Sequence, residues 1–214
     1  AGSGDDFVSA DAIELLGVIS IGDDTVLSGT GDDTVFGRNG DDLIGFGDEF
    51  ATAPGEITIE NGAVSSSTFD FVDSADFSGE DFVSGGNGFD TVGIGLDTTP
   101  LTITGDFVQG IEQINVTVTE DSVSLTVDNS VLEQVDSNEL VVAVTDLDET
   151  TNDASFDFTS FVQGESVVFY DSDIDDGNSV AFGAGDDSYF NAYNDASDNV
   201  TIEGNGGSDL IDLS

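Results

Sequence analysis

The sequence predicts an all-β fold, a parallel β-roll or β-helix solenoid with an irregular central β region. Three observations carry that prediction. A glycine and aspartate turn followed by an apolar β-former recurs at nine-residue spacing, apolar and polar residues alternate through the middle of the chain, and helix signals are scarce.

The turn comes first. The pattern Gly-x-Asp-x-apolar begins at Gly4, Gly22, Gly31, Gly40, Gly79, Gly88, Gly185 and Gly207, which sets Asp6, Asp24, Asp33, Asp42, Asp81, Asp90, Asp187 and Asp209 at its third position. Its fifth position holds Val8, Val26, Val35, Ile44, Val83, Val92, Tyr189 and Ile211. The first four glycines are spaced by 18, 9 and 9 residues, and Gly79 and Gly88 by 9. Glycine permits the positive φ that lets a tight turn aim its carbonyls inward, and the aspartate adds a charged oxygen. Residues such as Thr34-Val35-Phe36 then favour a short strand whose middle side chain points into the core. Two such units make a coil of 18 residues, so turns 18 apart should stack. Asp6, Asp24 and Asp42 are expected in one column, Asp33 on the opposite edge, and residues 10–18 in a motif-free slot that keeps the register. The adjacent Asp5, Asp23, Asp32, Asp41 and Asp186 are expected to face solvent.

Charge sets the next constraint. The 214 residues hold 46 acidic side chains and one base, Arg38, for a formal charge of -45. That balance excludes nucleic acid as a partner and argues against an anionic membrane surface. No apolar run is long enough for membrane insertion. Histidine, cysteine, methionine, tryptophan and lysine are all missing, so a Ser-His-Asp triad, a Cys-His pair, a histidine zinc site and a lysine Schiff base cannot be built. The chain therefore reads as a non-enzyme, and a carboxylate-pair glycosidase is the one hydrolase chemistry its composition allows. With 37% apolar residues and 16 Phe it can fill a core. Folding nevertheless crowds like charges together, and no basic segment offsets them, so dissolved cations must. The opening Ala1-Gly2-Ser3-Gly4 has neither an initiator Met nor a leader pattern, which reads as a processed or excised piece.

Ser28-Gly-Thr-Gly-Asp-Asp-Thr-Val-Phe36 and Gly85-Gly-Asn-Gly-Phe-Asp-Thr-Val-Gly93 resemble the G-G-x-G-x-D-x-U-x nonapeptide of RTX, or hemolysin-type, proteins. Arg38 and Asn205 replace the second glycine in their units, and residues 19–21 and 76–78 replace the first three positions of theirs. The resemblance implies a secreted, calcium-bound β-roll holding several Ca2+ ions on the eight glycines and eight aspartates above, with ions between Asp6 and Asp24 and between Asp24 and Asp42. The segment Asp171-Ser-Asp173-Ile-Asp175-Asp-Gly-Asn178 has the alternating acids of an EF-hand loop, but its glycine falls one place late and Phe182 stands where that loop has Glu. It either joins an ion site with the Asp186 turn or is a solvated acidic loop.

The organisation follows from where the motif stops: residues 1–45 an RTX β-roll, 46–75 an excursion holding Pro54 and partly stranded at 57–59, 76–93 a repeat pair, 94–170 a central β-solenoid or sandwich, and 171–214 acidic C-terminal RTX coils. Half-buried strands are expected at Leu101-Thr-Ile103, Ile114-Asn-Val116-Thr-Val118, Val123-Ser-Leu125-Thr-Val127 and 140–144. Phe107-Val-Gln-Gly110 before Ile111-Glu-Gln-Ile-Asn-Val116 recurs in altered form at Phe161-Val-Gln-Gly164, and such a stretch is similar to those in bacterial surface-layer proteins. Short helical turns are expected at 11–16 and 131–135. Asn115-Val-Thr117 and Asn199-Val-Thr201 match the glycosylation acceptor pattern, as chance alone would produce in so Thr-rich a chain.

A solenoid whose end coil carries the motif can accept the first coil of another copy, and that head-to-tail contact does not close. The expected function is an extracellular calcium-binding structural protein that self-assembles into a surface layer or matrix filament. The alternative is an RTX adhesin or stalk fragment whose motif-free centre binds a cell-surface glycan or ice, and a remote one is a polysaccharide-acting β-helix enzyme.

Overall fold

Each nonapeptide contributes one short strand, and successive strands stack in parallel in chain order, as in a solenoid. The computed structural model describes residues 2–3, 7–9, 22–30, 32–45, 58–60, 63–65, 81–96, 100–118, 122–135, 137–146, 154–171, 178–191 and 200–213. Among these, a long sheet runs through Thr25–Leu27, Leu43–Gly45, Thr91–Leu96, Gln113–Val118, Glu139–Asp146, Ser166–Asp171, Ser188–Asn191 and Leu210–Asp212. Every neighbouring pair is parallel. The described strands within 94–170 thus continue the same parallel ladder as the repeats on either side.

The facing side changes hands midway. Phe7–Ser9, Thr34–Asn39, Phe82–Asn87 and Val108–Gln109 form a four-stranded parallel sheet, and Leu101–Ile103, Ser124–Val127, Ser155–Asp157, Ser179–Ala181 and Thr201–Glu203 form a five-stranded one. The coil from Thr91 to Glu112 has a strand in all three sheets. In the next coil a 3₁₀ turn, Asn129–Gln134, lies beside Val108–Gln109. The Asp128 side chain caps that turn by accepting the Ser130 N–H, close to the helical turn expected at 131–135. The turn expected at 11–16 lies outside the described residues, and no helix among the described residues is long and apolar enough to cross a membrane.

Coil length decides what fills the interior. The 18-residue coil encloses a narrow core of Val26, Ile44 and Val35. Later steps are longer: Gln113 pairs with Val141 and Val141 with Val168. There the core is wider and rings fill it, with Phe156 edge-on to Phe169 at 5.0 Å and Phe169 stacked on Tyr189 at 5.8 Å. One inward column, Ile44, Val92, Ile114, Val142, Phe169 and Tyr189, is fully buried from end to end.

One departure from the sequence reading concerns register. Strand Phe7–Ser9 pairs with Thr34–Phe36, not with Thr25–Leu27, and Gly2–Ser3 pairs with Gly29–Thr30 at the same offset. The strand after Asp6 therefore joins the sheet of Thr34–Asn39 and not that of Thr25–Leu27, which an Asp6–Asp24–Asp42 column required. Asp6 and residues 10–18 lie outside the described residues. Within the expected excursion, close to the strand expected at 57–59, Thr58–Glu60 and Ala63–Ser65 form an antiparallel hairpin. On either side of it the register is intact: Thr34 pairs with Phe82 and Leu43 with Thr91.

Candidate functional site

The repeat turns fold alike because their backbones do. In the turn Gly85 to Asp90, Gly86 and Gly88 have φ of +116° and +146°. The equivalent positions are Arg38 at +88° and Gly40 at +120°, then Asn205 at +56° and Gly207 at +92°. The second position thus keeps its left-handed backbone when a side chain replaces glycine, at a cost in strain. The fourth position is stricter. A Cβ on Gly88 would run into the carbonyl of Gly40, one on Gly40 into that of Gly22, and one on Gly207 into that of Gly185. These glycines stack backbone on backbone.

The same stacking aligns the aspartates. Asp24 donates its backbone N–H to Oδ1 of Asp42 (2.9 Å), Asp42 to Oδ1 of Asp90 (2.9 Å), and Asp90 to Oε2 of Glu112 (2.8 Å). On the opposite edge Asp33 donates to Oδ1 of Asp81 (2.8 Å). At the far end Val167 donates to Oδ1 of Asp187 (2.8 Å) and Asp187 to Oδ1 of Asp209 (3.1 Å). Asp33, Asp42, Asp81, Asp90 and Asp187 are each at most 2% exposed, which sets Asp42 over Asp90 and Asp33 over Asp81 as buried like charges about one strand spacing, ~4.8 Å, apart.

The cost shows in the titration. Burial pushes the Asp90 carboxyl up to about 7; the Asp42 N–H opposes this, and Asp42, Glu112 and Asp41 add to it. Burial likewise raises Asp187, opposed by the Val167 N–H and reinforced by Asp209 and Asp186. Oδ2 of Asp90 and Oδ2 of Asp187 are buried and accept no hydrogen bond. A Cβ on Gly85 would meet both Asp90 Oδ2 and the Gly110 carbonyl. One on Gly37 would meet Asp42 Oδ2 and lie 2.7 Å from the Gly85 carbonyl, and one on Gly204 would meet Asp209 Oδ2. Second carboxylate oxygens and main-chain carbonyls thus converge beside glycines that leave them room. That donor set, all oxygen and anionic, suits a hard divalent cation such as calcium. Among the described residues no three acidic side chains gather at one point, so main-chain carbonyls would have to supply part of any coordination sphere.

Other expected residues are placed as follows. Gly22, Gly40, Gly88, Gly185 and Gly207 line the turns, whereas Gly4, Asp6, Gly31, Gly79, Asp173 and Asp175 lie outside the described residues. Asp171 does not join the Asp186 turn. It pairs with Asn191 at the far end of the strands that Asp187 precedes, and its buried Oδ2 accepts the Tyr189 hydroxyl (3.4 Å). Asn115 is 4% exposed and its Oδ1 accepts the Gln113 amide (2.7 Å), so the folded chain offers no glycan acceptor there. Asp23, Asp32, Asp41 and Asp186 are exposed. Three of them still link coils, with Asp23 Oδ1 accepting from Asp41 N, Asp41 Oδ1 from Phe89 N, and Asp186 Oδ1 from Ser208 N. Missing from the sequence reading are Glu112, Leu140 and Val167, which take the aspartate position in the central coils. The signal for Glu112 was its place just before the β-run Gln113–Val118, as Asp90 stands before Thr91.

No family model matches the chain, and no curated protein or solved structure matches it significantly.

Proposed function

We infer that this chain is a calcium-dependent structural solenoid that works outside the cell and assembles by end-to-end stacking. The observation that carries the reading is the fully buried Asp90, whose Oδ2 has no hydrogen-bond partner although it belongs to a column of like charges. Burying such a row is unfavourable unless cations neutralise it. Calcium would be held by Asp24, Asp42, Asp90, Asp33, Asp81, Asp187 and Asp209 together with carbonyls of the glycine turns. When bound it supplies positive charge and oxygen coordination, which ties each coil to the next. The protein residues supply the rest: glycines that admit the close approach, backbone N–H groups that orient the first carboxylate oxygen, and an apolar column that keeps the turns in line.

Support for stacking comes from the last strand of the long sheet. Leu210, Ile211 and Leu213 are 52%, 50% and 52% exposed, and Ile211 continues the otherwise buried column of Phe169 and Tyr189. The outer edges of Leu210–Asp212 and Thr201–Glu203 are the last in their sheets among the described residues, an edge that a further parallel coil, from this chain or a second copy, can extend. An extracellular setting belongs to the same reading, because calcium modules of that setting bind at about 10⁻⁴–10⁻³ M. The test is assembly followed by light scattering and electron microscopy in calcium and in chelator. Polymers that form in calcium and dissolve in chelator are expected. Monomers at high concentration that are retained on a glycan matrix would replace this reading with that of an adhesin fragment.

A further inference from the structure

The carboxylate column outlasts the nonapeptide. Glu112 belongs to Gly110-Ile-Glu112, which has no Gly-x-Asp pattern, yet its strand pairs Gln113 with Thr91, so Glu112 falls where a further repeat would place its aspartate. Its Oε2 accepts the Asp90 N–H at 2.8 Å, as Asp90 Oδ1 accepts that of Asp42. The turn is fastened to Asp90 from its own side too, because Glu112 and Gln113 both donate their N–H groups to the Asp90 carbonyl at 3.1 Å. Gly110, with φ +58°, lies over Gly86, and the room left by the missing side chain of Gly85 is bordered by the Gly110 carbonyl and Asp90 Oδ2. Asp90 is fully buried and that oxygen accepts no hydrogen bond. The position after Glu112 is Leu140, also fully buried.

We propose that the Gly110–Glu112 turn, although outside the repeat, completes a divalent-cation site on Asp90, contributing the Gly110 carbonyl and the Glu112 carboxylate. The site rests on the reading of the buried aspartates as calcium ligands and extends it to a segment with no repeat signature. Glutamate serves the place as aspartate does elsewhere, its Oε2 accepting the Asp90 N–H across 22 residues. With Leu140 beyond it, this is the last site of the N-terminal series.

The test is calcium stoichiometry of the full chain by native mass spectrometry, with titration calorimetry for affinity, in wild type, Glu112→Gln and Asp187→Asn. Glutamine keeps an oxygen to accept the Asp90 N–H but removes the charge. Glu112→Gln is expected to carry one ion fewer than wild type, or to hold its weakest ion at least tenfold less tightly, with its β circular-dichroism spectrum retained in excess calcium. Wild-type stoichiometry and affinity in Glu112→Gln, beside a lost ion in Asp187→Asn, would overturn the proposal and leave the calcium reading standing. A wild type that binds no calcium would overturn both. If Glu112→Gln does not fold, Glu112→Asp, shorter by one methylene, is scored by the same count, and unchanged loading again overturns the proposal.

Discussion

Leu140 stands one coil beyond Glu112 at the same turn position, with Val141 donating its N–H to the Glu112 carbonyl at 2.9 Å. Val167 follows it in the column, and both side chains are fully buried. Along this edge the column reads Asp24, Asp42, Asp90, Glu112, Leu140, Val167, Asp187, Asp209. Two apolar steps separate two acidic blocks, which puts Glu112 and Asp187 about 14 Å apart at ~4.8 Å per step, too far to share one cation. The blocks should load cations independently. Asp42→Asn is expected to weaken ions of the first block only, and Asp187→Asn those of the second. A single titration step weakened alike by both variants would contradict the division.

Placing a charge in the spacer has a different outcome. Leu140→Asp puts an unpaired carboxylate into the core beside Glu112 and should destabilise the chelated protein by roughly 3–5 kcal/mol. Urea denaturation reads this directly. A loss under about 1 kcal/mol would mean that the interior tolerates a bare carboxylate, which would remove the reason for cations elsewhere in the column.

Without metal, pH acts through Asp90 and Asp187. Burial raises both carboxyls above the ordinary 3.8, Asp90 to about 7. A raised folded-state value favours the protonated fold, so this contribution is fully present below about pH 4 and is lost as pH climbs through about 7. In chelator the fold should therefore be more stable at pH 5 than at pH 8. In calcium the order should reverse, because bound cations need the carboxylates deprotonated. Thermal melts at the two pH values with and without calcium check this, and the same order under both conditions would count against cation binding at these residues.

The two glycine positions of the turn separate by mutation. Gly88→Ala forces a side chain into φ +146° and against the Gly40 carbonyl, and should cost at least roughly 1–3 kcal/mol. Asn205→Gly relieves a side chain at φ +56° but gives up the bond from Asn205 Nδ2 to the Phe182 carbonyl (2.9 Å), so its net effect should stay within about 1 kcal/mol. Melting temperatures in saturating calcium measure both, and equal effects would show that the stacking of fourth-position glycines carries no weight.

Calcium should also set the stability. With a formal charge of -45, the melting temperature is expected to climb over about 10⁻⁴–10⁻³ M calcium. A melting temperature indifferent to calcium would show that packing alone overcomes the repulsion.

What the sequence revealed was whatever depends on local spacing. Eighteen residues per coil follow from adjacent motifs, so Asp24 over Asp42, with Asp33 on the opposite edge, could be read directly. The edge of Asp6 could not, because nine motif-free residues can form a half-coil or lengthen a crossover, and only the pairing of Phe7–Ser9 with a distant strand decides. Glu112 carried no site signal in the sequence because its contact with Asp90 joins turns 22 residues apart. Asp171 was a readable miss. It shares the inward parity of Val167 and Phe169 in the strand Ser166–Asp171, and that alternation argued against counting it with the loop after it.

The hairpin-bearing excursion shows how forgiving this architecture is. Asp42 and Asp90 meet as directly across an offset of 48 as Asp24 and Asp42 do across 18, so the extra 30 residues leave the ladder undisturbed. The excursion is a natural splice point, where a foreign module could be inserted without altering the thread of strands that runs past it.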